Sequence, residues 1–317
     1  MGLAIKGKKV IGLALNGKKL LGEAKNGKVI WRFIDNKPWK FTVNDVVNSV
    51  AVDSSGNVYA GTDGYAVYKI NTSGKQVWKF TADNAVKSVA VDSSGNVYAG
   101  TYAGDFSNFV YKLDASGNQV WKFTAVNVVT SVAVDSSGNV YVGTDASSIY
   151  KLGASGNQVW TFTADNTVNS VAVDSSGNVY AGTNNKSVYK LDSSGKQVWQ
   201  FTADSLVFSV AVDSSGNVYA GTSNKSVYKL DASGNQVWKF TADSLVYSVA
   251  VDSSGNVYAG TNNKSVYKLD SSGKQVWKFT ADYIVYSVAV DSSCNVYAGT
   301  YSKSVYKLTP DGSNTTT

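Results

Sequence analysis

The stretch WKFTADSLVYSVAVDSSGNVYAGTNNKSVYKLDSSGKQV, residues 238–276, decides the fold, because close copies of it fill most of the chain. Its tryptophan recurs at Trp39, Trp78, Trp121, Trp160, Trp199, Trp238 and Trp277, a step of 39 residues with one step of 43. Within each copy, Val, Tyr, Leu and Trp alternate with polar residues over short runs bounded by turn residues, which is the periodicity of strands. In the fifth copy these runs are Val207 to Asp213, Asn217 to Thr222, Ser226 to Asp231 and Gln236 to Thr241, here called strands a, b, c and d. A period near 40 that carries four short strands predicts an all-β, seven-bladed β-propeller with four-stranded blades and strand a next to the central channel. The DSSGN and DxSGxQ links read as tight turns whose glycine takes a left-handed conformation.

The order of strands is circularly shifted. The last copy runs from Val285 through Ser304 to Leu308 and ends without a QVWKFT strand, whereas an isolated copy of that strand stands early in the chain as Lys37-Pro38-Trp39-Lys40-Phe41-Thr42. The early strand is therefore expected to complete the last blade and close the ring, which removes two open sheet edges. This divides the chain into an N-terminal module over residues 1–36, a propeller over 37–309 and a flexible tail over 310–317.

Residues 2–34 carry a second repeat of ten residues, GLAIKGKKVI, GLALNGKKLL and GEAKNGKVIW. Lys6-Gly7, Asn16-Gly17 and Asn26-Gly27 suit two-residue hairpin turns, so a small antiparallel β-meander is expected. It is too short to bury a core of its own, and its apolar residues favour self-association; the alternative is a partly ordered leader.

Composition narrows the chemistry. The 317 residues include no His, one Cys (Cys294) and one Met, which excludes an intramolecular disulfide and every site built on His or on paired Cys. The formal charge of +6 is carried by residues 1–40, with ten basic and two acidic side chains, while the remainder is near neutral. A nucleic-acid-binding face on the propeller is not expected from that distribution. The apolar run Val10–Leu15 is too short for a signal-peptide core or a membrane span, so no membrane insertion is expected, and the chain is placed in the cytoplasm or in a virion assembled there.

The run YKLDSSGKQVWKF, Tyr267 to Phe279, resembles the tryptophan-docking repeat of pyrroloquinoline-quinone-like, or quinoprotein-type, propellers. In that family an Asp, a Gly and a Trp lock neighbouring blades, and Asp270, Gly273 and Trp277 would hold those places, with the Asp-to-Gly spacing one residue shorter than usual. The SVAVDSSGNVYAG half is similar to NHL-type repeats. Quinone-dependent members hold their cofactor and a calcium ion with carboxylates, an Arg and often a vicinal disulfide. This chain has Arg32 alone and a single Cys, so neither cofactor nor enzymatic activity is expected. Most members of the family are binding scaffolds. The decapeptide leader resembles leaders on structural proteins of bacteriophages.

Two repeated features have structural readings. The Asp of each DSSG turn, Asp53 to Asp291, offers too few oxygens for calcium and reads as a turn cap. Repeated Trp and Tyr, such as Trp238, Tyr219 and Tyr228, read as packing between blades. Cys294, in place of the turn glycine, is expected to carry backbone strain and not to act as a nucleophile.

The informative positions are those where the copies differ. The residue two before the Val-Ala-Val of strand a is Asn48, Lys87, Thr130, Asn169, Phe208, Tyr247 and Tyr286 in turn, so three consecutive blades carry aromatics. Tyr283 and Tyr301 lie in neighbouring loops of the last blade. Tyr65, Tyr102, Phe106 and Phe109 lie in or beside the b-to-c loops of the first two. These nine aromatics are the candidate ligand-binding rim, set on loops of a rigid scaffold. The resulting expectation is a non-catalytic binding or structural propeller, in its sharper form a phage virion protein of the tail or neck, or an adhesin, that presents a face to host-surface polysaccharide. A multivalent carbohydrate-binding lectin and an intracellular protein scaffold are the alternatives.

Overall fold

The computed structural model describes residues 14–15, 18–25, 28–35, 37–103 and 108–314, with side chains from residue 37 onward. Seven antiparallel four-stranded sheets follow one another in the order a-b-c-d. In the fifth they are Val207–Val212, Val218–Thr222, Ser226–Leu230 and Gln236–Thr241, within a residue of the runs read from the sequence. The first strands of neighbouring blades face one another around the axis, and those of the seventh and first blades close the circle. Strand b is buried along its length and strand d alternates between exposed and half-buried residues, so d is the outer edge.

The last blade is assembled from both ends of the propeller. Strands Val285–Val290, Val296–Thr300 and Ser304–Leu308 are completed by Trp39–Thr42, which pairs Ser304 with Thr42 and Lys307 with Trp39. The closure expected from the sequence is the closure observed. Before the propeller, Ala14–Leu15, Lys18–Lys25 and Lys28–Asp35 form a three-stranded antiparallel meander, with Lys18 opposite Asp35 and Lys25 opposite Lys28. The turn residues Lys6-Gly7, Asn16-Gly17 and Asn26-Gly27 lie outside the described residues.

The hydrophobic core lies between sheets, not within them. Each apolar cluster joins side chains of two neighbouring blades, as where Tyr219 and Val227 of one meet Val246, Val249 and Val257 of the next. Two glycines show how close the sheets come. A Cβ on Gly260 would stand 2.7 Å from Cγ1 of Val285 in the following blade, so only a bare backbone fits there. At the bottom turn, a Cβ on Gly273 would stand 2.8 Å from Cδ2 of Trp238, whose ring lies over that glycine while its Nε1 donates to Ser271 O at 3.1 Å. The same lock joins Trp39 to Gly74 and Thr72 O, and Trp277 to Gly312 and Pro310 O. Pro310 and Gly312 were placed in the tail by the sequence reading; in the structure they hold the lock of the sixth blade's tryptophan.

The turn aspartates spend both oxygens inside their own turns. Oδ1 of Asp213 accepts from the backbone N–H groups of Ser215 and Asn217, and Oδ2 accepts from Asn217 Nδ2 and Tyr219 OH, at 2.9 to 3.0 Å. That tyrosine is fully buried and its ring lies 6.1 Å from Trp238. The capping and packing readings of Asp and Tyr are thus observed. Cys294 occupies the left-handed position with φ 62°, where the six equivalent residues are glycines.

Two consequences can be measured. Cys294→Gly should raise stability by roughly 0.5–1 kcal/mol, since left-handed strain exceeds the added freedom of the unfolded glycine; a lower urea midpoint would contradict it. The second concerns acid. Burial alone would raise the carboxyl pKa of Asp135, Asp174, Asp213 and Asp252, but the hydrogen bonds to their oxygens outweigh it and hold each below its ordinary value. A depressed folded-state pKa stabilises above the unfolded value and is lost as pH falls through the folded one. The urea midpoint should therefore be flat above about pH 5 and fall below about pH 4; a midpoint unchanged down to about pH 2 would remove these carboxylates from the account.

Candidate functional site

The site starts from an irregularity in strand a. In the fifth blade Val207 pairs with Thr222 and Ser209 with Gly221, so Phe208 is an extra residue with no partner across the ladder. Such a β-bulge re-aims a side chain and increases the local twist. Every blade has it: Asn48, Lys87, Thr130, Asn169, Phe208, Tyr247 and Tyr286 are the bulged residues. All seven, joined by Val128, line one cavity of about 290 Å³ at a mouth of the central channel.

The bulge also places the serine that follows it. Each such hydroxyl accepts a hydrogen bond from the backbone of the next blade, as in Val249 N–H to Ser209 Oγ at 3.0 Å and, across the closure, Val50 N–H to Ser287 Oγ at 3.0 Å. One residue earlier in the chain, the ring residues divide into two groups. Asn48 Nδ2 donates to Asp63 Oδ1 at 2.7 Å and to Val86 O at 3.0 Å, and Asn169 Nδ2 donates to Asn184 Oδ1 at 2.7 Å and to Val207 O at 2.9 Å. Thr130 donates toward Gly143 O and Val168 O. In each case one bond stays within the blade and the other, to Val86 O, Val207 O or Val168 O, staples it to the next. Lys87 pairs with Asp63 at 2.9 Å and lies 5.4 Å above the ring of Tyr102.

On the other side, stapling gives way to aromatic contact. Phe208 stacks on Tyr247 with centroids 5.5 Å apart, Tyr247 meets Tyr286 edge-on at 5.2 Å, Tyr286 meets Tyr301 at 6.1 Å, and Tyr301 stacks on Tyr283 at 5.2 Å. The three ring aromatics are half-buried, whereas Tyr283 and Tyr301 are exposed. The arc thus runs outward from the channel to the rim. Burial and the neighbouring tyrosines raise the pKa of Tyr286, so its hydroxyl keeps its proton at neutral pH. Tyr247 OH makes a long bond of 3.4 Å to Asn262 Oδ1.

Five of the nine aromatics expected at the rim therefore form one continuous array. Tyr102 stands under Lys87, across the mouth. Tyr65 is exposed in the first b-to-c turn, with φ 59°. Phe109 is turned elsewhere: it packs against an inter-blade core, meets Tyr111 at 5.9 Å and lies 3.4 Å beneath the Lys122 ammonium. Phe106 lies outside the described residues. The polar half of the ring and Val128 belong to the cavity but were not singled out as site residues from sequence. The register shift that unites them leaves only one trace there, the variable residue between Val and Ser-Val.

Among the described residues, no group of three or more His, Cys, Asp or Glu is placed to hold a metal ion, and no helix is long and apolar enough to cross a membrane. The propeller is similar to the WD40 β-propeller domain of Doa1, with a TM-score of 0.75 and 17% identity, over 85% of this chain and 95% of that one. At that identity the likeness concerns the fold alone. No curated protein matches the chain. A family described as outer membrane protein assembly factor BamB matches residues 21–110, 107–224 and 223–312. These three matches cover most of the sequence, and the chain belongs to that family of pyrroloquinoline-quinone-like propeller repeats.

Proposed function

We propose that this protein is a non-catalytic binding module that holds its ligand at the mouth of the channel, against the arc Phe208–Tyr247–Tyr286–Tyr301–Tyr283. One observation carries the reading: in a ring of otherwise near-identical blades, the seven positions that a bulge turns into one cavity differ in chemistry, and the aromatics are contiguous. Large rigid side chains at the centre of a surface patch are the usual source of binding energy. The bonds that hold the turn aspartates and the docking of the tryptophans commit those repeated residues to structure, and so support assigning binding to the ring.

The family description favours a second reading, in which the ligand is a protein and the propeller is an assembly scaffold. The finer proposal is a virion-borne protein whose copies gather through residues 1–36 and gain avidity at a host surface. It is supported by the decapeptide repeat and by the apolar residues of that meander.

Replacing the arc by the stapling residue of other blades separates site from scaffold. Phe208→Asn, Tyr247→Asn and Tyr286→Asn together should change stability by no more than about 2 kcal/mol, because each lost ring contact is exchanged for an inter-blade hydrogen bond of similar worth. The same change should abolish retention of cell-wall polysaccharide or of a protein partner by the immobilised chain. Equal retention by both forms would remove the mouth from consideration. For the N-terminal module, light scattering of the full chain beside one starting at Lys37 should show a defined oligomer reduced to a folded monomer; two monomers would end the tether proposal.

A further inference from the structure

The hydrogen-bond accounting of the ring restricts what can sit in it. Each carboxamide nitrogen of Asn48 and Asn169 has two N–H groups, and both are committed, one to a side chain of its own blade and one to a main-chain carbonyl of the next. The Thr130 hydroxyl proton is likewise directed to main-chain carbonyls. What these three residues retain is acceptor capacity: Asn48 Oδ1, Asn169 Oδ1 and the Thr130 oxygen lone pairs. Phe208 cannot make the bond that Asn169 makes. Lys87 is the one charged side chain in the ring, and its charge is balanced by Asp63 at 2.9 Å.

The mouth is thus an aromatic half facing a half rich in acceptors, with no unbalanced cation among its seven ring residues. Within the ring of seven an anionic ligand finds no counter-charge that is not already paired; the ammonium of Lys264, 5.3 Å over the Tyr283 ring, stands only at the outer end of the arc. An extended peptide brings one carbonyl for every N–H, and those carbonyls would be desolvated against a ring that offers few donors. A purely apolar ligand would cover the acceptors without satisfying them. The ligand that matches has an apolar face for the tyrosines and several donors on its edge.

Resting on the reading of the mouth as the binding site, we infer that its ligand is a neutral saccharide. One sugar ring packs against the edge-on pair Tyr247 and Tyr286, with its apolar face on one of the two rings, its hydroxyls donate to Asn48, Thr130 and Asn169, and further units follow Tyr301 and Tyr283 toward the rim. The arc sets the direction of the chain, since it leaves the channel only through the last blade.

The test is binding of the full chain to an array of neutral oligosaccharides (glucans, mannans, galactans and N-acetylhexosamine oligomers) beside uronate-containing and sulfated ones and an unrelated peptide set. At least one neutral series should bind. Its affinity should fall about tenfold or more in Tyr247→Ala and in Tyr286→Ala, the loss typical of a central aromatic contact, while Tyr286→Phe stays within about threefold. Thermal melts confirm that each variant is folded. Preference for the acidic sugars or for peptides, lost in Tyr247→Ala, would overturn the saccharide and leave the mouth as the site. Neutral-sugar binding that is unchanged in both alanine variants would overturn the mouth itself. Binding of no neutral series by the full chain would overturn the inference outright.

Discussion

A tryptophan laid over a glycine of the next blade is the contact on which the rest of this molecule depends. Trp238 covers Gly273 and bonds the carbonyl of Ser271, and the arrangement recurs around the ring. Because the apolar clusters are shared between neighbouring sheets, no blade owns a core that would keep it folded alone. Cohesion is therefore circular, as in other arrays whose units cannot bury their faces individually. The two weakest points of such a ring are its chain ends, and both are secured by the same device. Trp39 reaches Gly74 from the early strand, and Trp277 finds Gly312 beyond the last one. Closure by Trp39–Thr42 and docking by Pro310 and Gly312 are thus two halves of one requirement.

The bulge in strand a is the counterpart of that rigidity. A residue outside the ladder can change without disturbing register, which explains how Asn, Lys, Thr, Phe and Tyr all occupy a position flanked by nearly invariant Val and Ser. Two solutions to inter-blade contact result. An amide or hydroxyl staples its neighbour, and an aromatic ring stacks on it; the two contribute similarly, about 0.5–1.5 kcal/mol each. The scaffold is indifferent between them. A bulge thereby converts a repeat built for sameness into a surface with individual positions.

Much of this was legible in the sequence, for identifiable reasons. The 39-residue period, the displaced strand at Trp39 and the left-handed turn at Cys294 each depend on local chemistry that repetition makes visible. The aromatic arc was legible because variation stands out against repeats. The bulge was not: Val-x-Ser-Val-Ala-Val reads as unbroken alternation, and only pairing with strand b reveals that one residue is extra. Phe109 was misplaced for a related reason. An insertion beside it suggested a loop, but its aromatic ring fills the seam between two sheets. The partnership of Lys87 with Asp63 joins residues 24 apart on different blades, which spacing alone cannot show.

The outer rim supports the same division between scaffold and site. Lys40, Lys122, Lys239 and Lys278 pair with Asp282, Asp83, Asp204 and Asp243 of the preceding blade, so four seams carry an ion pair on this face. Where the third blade carries Thr161 in place of the lysine, the preceding blade carries Val126 in place of the aspartate. Charge is removed from that seam in both members, whereas two other seams keep only one charge of the pair, with Asn44 at the position across from Lys79 and Gln200 at the position across from Asp165. These ion pairs therefore belong to the cohesion of the ring. The five-ring arc is built differently, from stacked and edge-on aromatic contacts, and shape, stacking and hydrogen bonds are what it offers under the proposed binding role.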